Sequence, residues 1–375
     1  MKKKVFLVFG TRPEAIKMYP VYKALKHFSD LETKVIITSQ HQEMLKQVID
    51  LFHITIDYDL RVMEEKQTLT KITNKVLTGL KDIFDVDRPD ILLVHGDTTT
   101  TFASALSAFY EKIHIGHVEA GLRTYNKYSP FPEEMNRKLT DALTDLYFAP
   151  TEKAKENLLK EGVNESQIYV TGNTVVDALL EIIKSDIQVN LPIRYDEKYI
   201  VVTAHRRENW GKPMEEICSA VNELAENFGN EYKIVFSVHK NPVVRETVNR
   251  ILKDNKNILL IEPMDYLSFI KLLSKATLIL TDSGGIQEEA PTLKKPVLLM
   301  RDTTERPEAV ESGVVRLVGT DRRKIVEEAT KLLLNKEEYE KMISNKNPFG
   351  DGYAGTRIAK IVYDYLMFGG KDGIS

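Results

Sequence analysis

Apolar residues in this chain come in short runs, separated by stretches of helical periodicity. Residues 4–9, 34–38, 90–95, 114–118 and 146–149 read as strands. Among them Ile91-Leu92-Leu93-Val94 is apolar at every position rather than every second one, so both faces of that strand are covered. Residues 13–28 read as a helix, with Pro13 in the first turn where its missing N–H costs little. Doubly buried strands alternating with helices predict a parallel sheet. The pattern then restarts. Residues 199–203, 233–238, 258–261, 278–280 and 297–300 are strand candidates, with helices at 214–228 and 267–276 between them. The expected fold is therefore α/β, with two doubly wound domains facing a central cleft. The first domain is expected at residues 1–170 and the second at 171–355, with Pro192 in a connecting region at 170–195. A last helical stretch within 356–375 is expected to pack back on the first domain.

Composition adds exclusions. A length of 375 residues suits two domains. A formal net charge of −3 offers no basic excess for nucleic acid or anionic lipid. An anionic ligand must then be held by a local cluster of cations. Cys218 is the only cysteine, so neither an intrachain disulfide nor a site of several thiolates is possible, as suits a reducing cytoplasm. Lys2-Lys3-Lys4 before an apolar stretch imitates a signal peptide, but Gly10-Thr11-Arg12-Pro13 interrupts the run too early. No segment approaches the ~20 apolar residues of a membrane span.

In open parallel sheets, ligands bind beyond the carboxyl ends of the strands. After the first strand, Gly10 to Lys17 offers a turn, a helix start with free N–H groups, and the cations Arg12 and Lys17. After the third come His95-Gly96-Asp97-Thr98, where Asp97 either faces a cleft or caps the next helix. After the fourth comes Glu119, a poor N-cap. Glu133 and Glu134 stand at a helix start, where acids also suit the helix dipole. In the second half, His205-Arg206-Arg207 follows a strand, and the two arginines should favour the neutral imidazole. Ser283-Gly284-Gly285 between a strand and a helix has the form of a phosphate cradle, with Glu289 one turn on to reach sugar hydroxyls. Asp57-Tyr58-Asp59 is expected in a turn, and no metal is assigned. The chain lacks GxGxxG, GxxxxGK[ST] and HExxH. Read from the residues, this is a two-domain enzyme acting on a nucleotide diphosphate ester.

Taken together and in order, these motifs resemble the non-hydrolysing UDP-N-acetylglucosamine 2-epimerases over essentially the whole chain. The resemblance rests on 9–17 (FGTRPEAIK), 94–98 (VHGDT), 116–123 (GHVEAGLR), Pro132-Glu133-Glu134, 171–174 (TGNT), 205–208 (HRRE), 282–290 and 300–308 (MRDTTERPE). It implies the two-Rossmann architecture called GT-B, with UDP held in the interdomain cleft mainly by the second domain. It implies epimerisation at C2 by elimination and re-addition of UDP, feeding bacterial surface glycans, in a cytoplasmic homodimer that uses neither cofactor nor metal. Carried over by motif, Arg12, Lys17, Asp97, Glu119 and His205 surround diphosphate and sugar, with Asp97, Glu119 and Glu133 as acid/base candidates. Ser283, Gly284 and Gly285 hold phosphate, Glu289 the ribose, and Arg306 joins the anion site. The base meets backbone at Met264 and the ring of Phe269. Relatives also bind a second UDP-N-acetylglucosamine as activator, near Gln40, Glu43, Lys66, Glu133, Arg207 and His239. Glu43 and Lys66 stand where the family carries glutamine and arginine; an added carboxylate and the loss of a bidentate fork imply weak activation. A hydrolysing epimerase and a glycosyltransferase on the same fold are the rival readings.

Overall fold

The computed structural model of the protein describes residues 2–39, 42–64, 68–194, 196–304 and 306–369, without the side chains of Gln42 and Glu43. The chain forms two compact units, Met1–Ala178 with Phe349–Ser375, and Leu179–Pro348. Both are doubly wound parallel α/β domains, as the alternation of apolar runs and helices predicts.

The first unit has seven parallel strands: β1 (Lys3–Phe9), β2 (Leu31–Ile37), β3 (Tyr58–Asp59), β4 (Ile91–His95), β5 (His114–Val118), β6 (Leu146–Ala149) and β7 (Ile168–Val170). Their order is β3-β2-β1-β4-β5-β6-β7. Winding reverses between β1 and β4, the switch point at which ligands bind in such sheets. Phe6, Val8, Ile36, Leu92 and Val94 are fully buried in the core of this unit, and burial of one such side chain contributes roughly 1.5–3 kcal/mol. Two short strands escape the apolar pattern. β7 carries a tyrosine and an exposed valine. β3 corrects the expected turn: Tyr58 and Asp59 pair with Ile36 and Ile37. The Asp57 carboxylate accepts the Val35 N–H at 2.8 Å, and that of Asp59 accepts the Ser39 hydroxyl at 2.6 Å. These acids fasten the sheet edge.

The second unit has β8 (Lys198–Ala204), β9 (Tyr232–Val238), β10 (Ile258–Ile261), β11 (Leu278–Thr281), β12 (Val297–Leu299) and β13 (Val315–Leu317). The order is β10-β9-β8-β11-β12-β13, all parallel, with the reversal between β8 and β11. Among the described residues, no helix is long and apolar enough to cross a membrane.

The last helix, Ala354–Phe368, belongs to the first unit and packs on the first helix, Arg12–Leu25. The contact is backbone to backbone. Pro20 interrupts the hydrogen-bond ladder of the first helix, and Gly355 lies against it so closely that a Cβ would stand 2.7 Å from the Pro20 carbonyl carbon. Gly355→Ala should therefore destabilise the protein by about 1–3 kcal/mol through overpacking, although alanine is the better helix former. Urea denaturation reads this directly, and a stabilised variant would show that the two helices part without cost.

Candidate active site

In the first unit, buried carboxylates join the strand ends. Glu14, 2% exposed, accepts the N–H groups of Gly10 (3.0 Å) and Thr11 (2.8 Å) and the hydroxyls of Thr98 (2.6 Å) and Thr101 (3.2 Å). Burial raises its carboxyl pKa, and these donors oppose the rise. One side chain thus ties the loop after β1 to the loop after β4. Lys17 projects from the same helix. Arg12, half-buried, has no hydrogen-bond or ion-pair partner among the described residues.

Glu119 follows β5 with φ 66°, in the left-handed region, at a cost of about 1–3 kcal/mol for a residue with a side chain. Its surroundings impose that geometry. Arg137 donates to the Glu119 carbonyl at 2.6 Å, and the Glu119 carboxylate pairs with Lys17 and accepts the Asn173 amide at 3.2 Å. A second Arg137 nitrogen lies 3.7 Å from Glu119 Oε1 and also pairs with Asp97. Burial pushes the Glu119 pKa up, but the Lys17 ammonium and Arg137 guanidinium outweigh it and hold the group ionised. Gly96 lets the β4 turn approach: with φ 70°, its added Cβ would lie 3.8 Å from Glu119 Oε1. Beneath it His117 is wholly buried, bridging the Asp141 carboxylate (2.6 Å) and the Gly96 carbonyl (2.8 Å). Glu133 and Arg137 are four residues apart on the helix Glu133–Asp141, hence on one face. His95 Nε2 lies 3.8 Å from Glu119 Oε2, and neither ring nitrogen has a hydrogen-bond partner among the described residues. Burial, helped by Lys17 and Arg137, takes its pKa down to about 4 against the pull of Glu119.

In the second unit the corresponding carboxylate is Asp282, fully buried after β11. Its Oδ2 accepts the N–H groups of His205 (2.8 Å) and Arg206 (2.9 Å) and the Asn209 amide (2.9 Å). This fixes the loop after β8 beside Ser283-Gly284-Gly285. Gly284 is where the guanidiniums converge: a Cβ there would stand 3.2 Å from an Arg206 nitrogen and 3.3 Å from an Arg306 nitrogen. Arg306 is partly neutralised by Glu288, at 2.6 Å. Two cations and a helix start around a residue without a side chain make an anion cradle. Glu289 accepts the Tyr266 hydroxyl at 3.2 Å. Met264 and Phe269, both half-buried, flank Asp265, the N-cap of the helix Tyr266–Lys275. His205 has its pKa lowered, first by burial and then by His239 and Arg206, while Asp282 opposes. The neutral imidazole is thus correct, but burial, not the neighbouring arginines, is the main cause. Its ring lies 5.4 Å from that of His239. Arg207 is exposed over the Trp210 ring. Gln40, Lys66 and the Glu43 side chain lie outside the described residues.

Three participants were absent from the sequence-based set: Arg137, Asn173 and Arg206. Asn173 and Arg206 lie inside quoted motifs, and Arg137 lies three residues past one. For Arg137 a signal existed, since four-residue spacing from Glu133 puts both on one helix face. For Asn173 and Arg206 no spacing rule points inward.

The family model for UDP-N-acetylglucosamine 2-epimerase matches residues 23–363. The chain belongs to that family. It is 56% identical to a putative UDP-N-acetylglucosamine 2-epimerase of Clostridium acetobutylicum over 364 residues, 96% of this chain and 94% of the relative. A putative UDP-N-acetylglucosamine 2-epimerase from Listeria monocytogenes has a solved structure that superposes with a TM-score of 0.93, at 47% identity and 100% coverage of both chains. The Neisseria meningitidis UDP-GlcNAc 2-epimerase, solved bound to UDP-GlcNAc, superposes with a TM-score of 0.85 at 48% identity, covering 96% of this chain and 100% of that one.

The state of His95 has a thermodynamic consequence. An unfolded histidine takes a proton near pH 6.5, whereas folded His95 stays neutral down to about 4. Between these values the unfolded chain binds more protons, so stability falls as pH drops through the window. His95→Asn should flatten that slope in urea denaturation measured from pH 7 to 4. Equal slopes in the two proteins would show that His95 titrates normally.

Proposed function

We propose that the protein interconverts UDP-N-acetylglucosamine and UDP-N-acetylmannosamine without releasing free sugar. The observation that carries this reading is the charged chain Lys17–Glu119–Arg137–Asp97, which keeps a buried carboxylate ionised beside further acids. Family membership and the UDP-GlcNAc bound to the Neisseria protein support the substrate.

The chemistry accounts for the residue types. The hydrogen on C2 is not acidic, because no carbonyl adjoins it. Lengthening the C1–oxygen bond gives C1 oxocarbenium character and acidifies that hydrogen. A carboxylate takes the proton, its C–H electron pair becomes the C1–C2 double bond of a glycal, and UDP leaves with the C1–oxygen pair. Protonation of C2 from the other face and return of the diphosphate oxygen to C1 give the epimer. We assign Asp97, Glu119 and Glu133 to the acid/base work, and Arg206, Arg306 and the amides at Ser283-Gly284-Gly285 to the departing diphosphate. Arg12, Lys17 and His205 complete the set around sugar and diphosphate. Glu289 takes the ribose, and Met264 with Phe269 the base. A cytoplasmic homodimer is part of this reading. The product is an activated sugar, so a glycosyl transfer must consume it, as in bacterial surface glycans.

In heavy water both UDP-sugars should gain deuterium at C2, read by NMR, with no free N-acetylmannosamine on chromatography. Free N-acetylmannosamine with UDP would instead establish hydrolysis, and epimer without deuterium would exclude proton exchange. Asp97→Asn, Glu119→Gln and Glu133→Gln should each lower turnover by about 10²–10⁴-fold.

The cradle has its own test. Gly284→Val places a branched side chain against Arg206 and Arg306, and should weaken binding of UDP itself in calorimetry. Unchanged UDP affinity would place the nucleotide elsewhere.

A further inference from the structure

We propose that Asp282 is a positioning residue that fixes the tautomer of His205, holding the hydrogen on Nδ1 and leaving Nε2 as the nitrogen that works on the substrate. The two oxygens of Asp282 are used unequally. Oδ2 accepts three donors, the His205 and Arg206 N–H groups and the Asn209 amide. Oδ1 has no hydrogen-bond partner among the described residues, although the side chain is fully buried. It faces His205 Nδ1 at 3.7 Å. A buried carboxylate oxygen without a donor is costly, and the imidazole is the titratable group before it. The backbone bonds through Oδ2 hold the loop, so that oxygen accounts for the architecture. Oδ1 is not needed for it.

The chemistry fixes the direction. An ionised carboxylate only accepts, so Nδ1 must carry the hydrogen. The neutral ring then presents the lone pair of Nε2. In ligand-free proteins such hydrogen bonds are often long and tighten in the complex. Asp282 also opposes the burial, His239 and Arg206 that make His205 hard to protonate. His205 can therefore take a proton on Nε2 and give it back while Oδ1 stabilises the imidazolium. The step from tautomer to catalysis rests on the 2-epimerase reading; the tautomer itself does not.

Asp282→Asn separates the two oxygens' duties. The amide oxygen can still accept the three donors, while its NH₂ faces Nδ1 and donates to it. The hydrogen must then move to Nε2. The experiment is ¹⁵N–¹H long-range correlation NMR on ¹⁵N-histidine-labelled protein, with the His205 signals identified among the eight histidines by their loss in His205→Gln. The expected result is Nδ1–H in the parent protein and Nε2–H in Asp282→Asn. UDP affinity should stay within about threefold, and turnover should fall about 10²–10⁴-fold, the range for a lost acid/base group. A purely architectural Asp282 would leave the tautomer alone. Nε2–H in the parent, or one tautomer in both proteins, overturns the proposal, and the parent spectrum alone decides if the variant fails to fold. If the tautomer reverses as expected but no C2 deuterium exchange occurs in the parent, the reaction assignment falls and the Asp282–His205 pair stands.

Discussion

Glu119 keeps a full negative charge with 8% of its surface exposed, and much of the first unit is arranged around that charge. An isolated buried carboxylate takes up a proton rather than forgo hydration. Here a lysine from the first helix, an arginine from the helix after β5 and an asparagine after β7 supply the compensation. These come from distant parts of the sequence, so the charge is stable only once the sheet has assembled. The left-handed backbone of Glu119 follows from the same demand. In that conformation Arg137 takes its carbonyl while Lys17 takes its carboxylate.

Each unit also contains a second device of the same kind. Glu14 and Asp282 are buried acids at strand ends, and each is held by backbone N–H groups of a neighbouring loop. Loops at the ends of parallel strands have N–H groups with no ladder partner. A carboxylate satisfies two or more at once and binds adjacent strand ends together. In the first unit this presents Lys17 and Arg12; in the second it presents His205 and Arg206. The basic side chains of the candidate site are thus positioned by buried anions.

The strands buried on both faces were legible as apolar runs, and the two-domain repetition followed from them. The strands that were not legible, β3, β7 and β13, all lie at sheet edges, although the edge strand β10 was read. β3 is two residues of Tyr-Asp and β13 contains Arg316; an edge strand has one neighbour and needs less apolar surface. Site residues at strand ends were legible for the same reason the fold was, since position along the sheet predicts exposure to ligand. Arg206 was hidden because only the side-chain-free surface of Gly284 reveals where its guanidinium points. Asn173 was hidden because its contact with Glu119 spans 54 residues of sequence. The lowering of the His205 pKa was expected for an incomplete reason: sequence adjacency shows charges and not burial, and burial is the larger effect.

The environment of Glu119 also bears on its part in the proposed reaction. Basicity falls as cations gather, so the acid most strongly held ionised is the weakest proton acceptor. That acid is Glu119, with Lys17 and Arg137 against it. In the proposed reaction its fixed charge suits a second task beside proton transfer, stabilising positive character at C1 as the diphosphate departs. Asp97 shares Arg137 and is about a third exposed. Glu133 has no hydrogen-bond or ion-pair partner among the described residues and lies on the same helix face as Arg137. Arg137, paired with Asp97 and 3.7 Å from Glu119, links two acids of the proposed set.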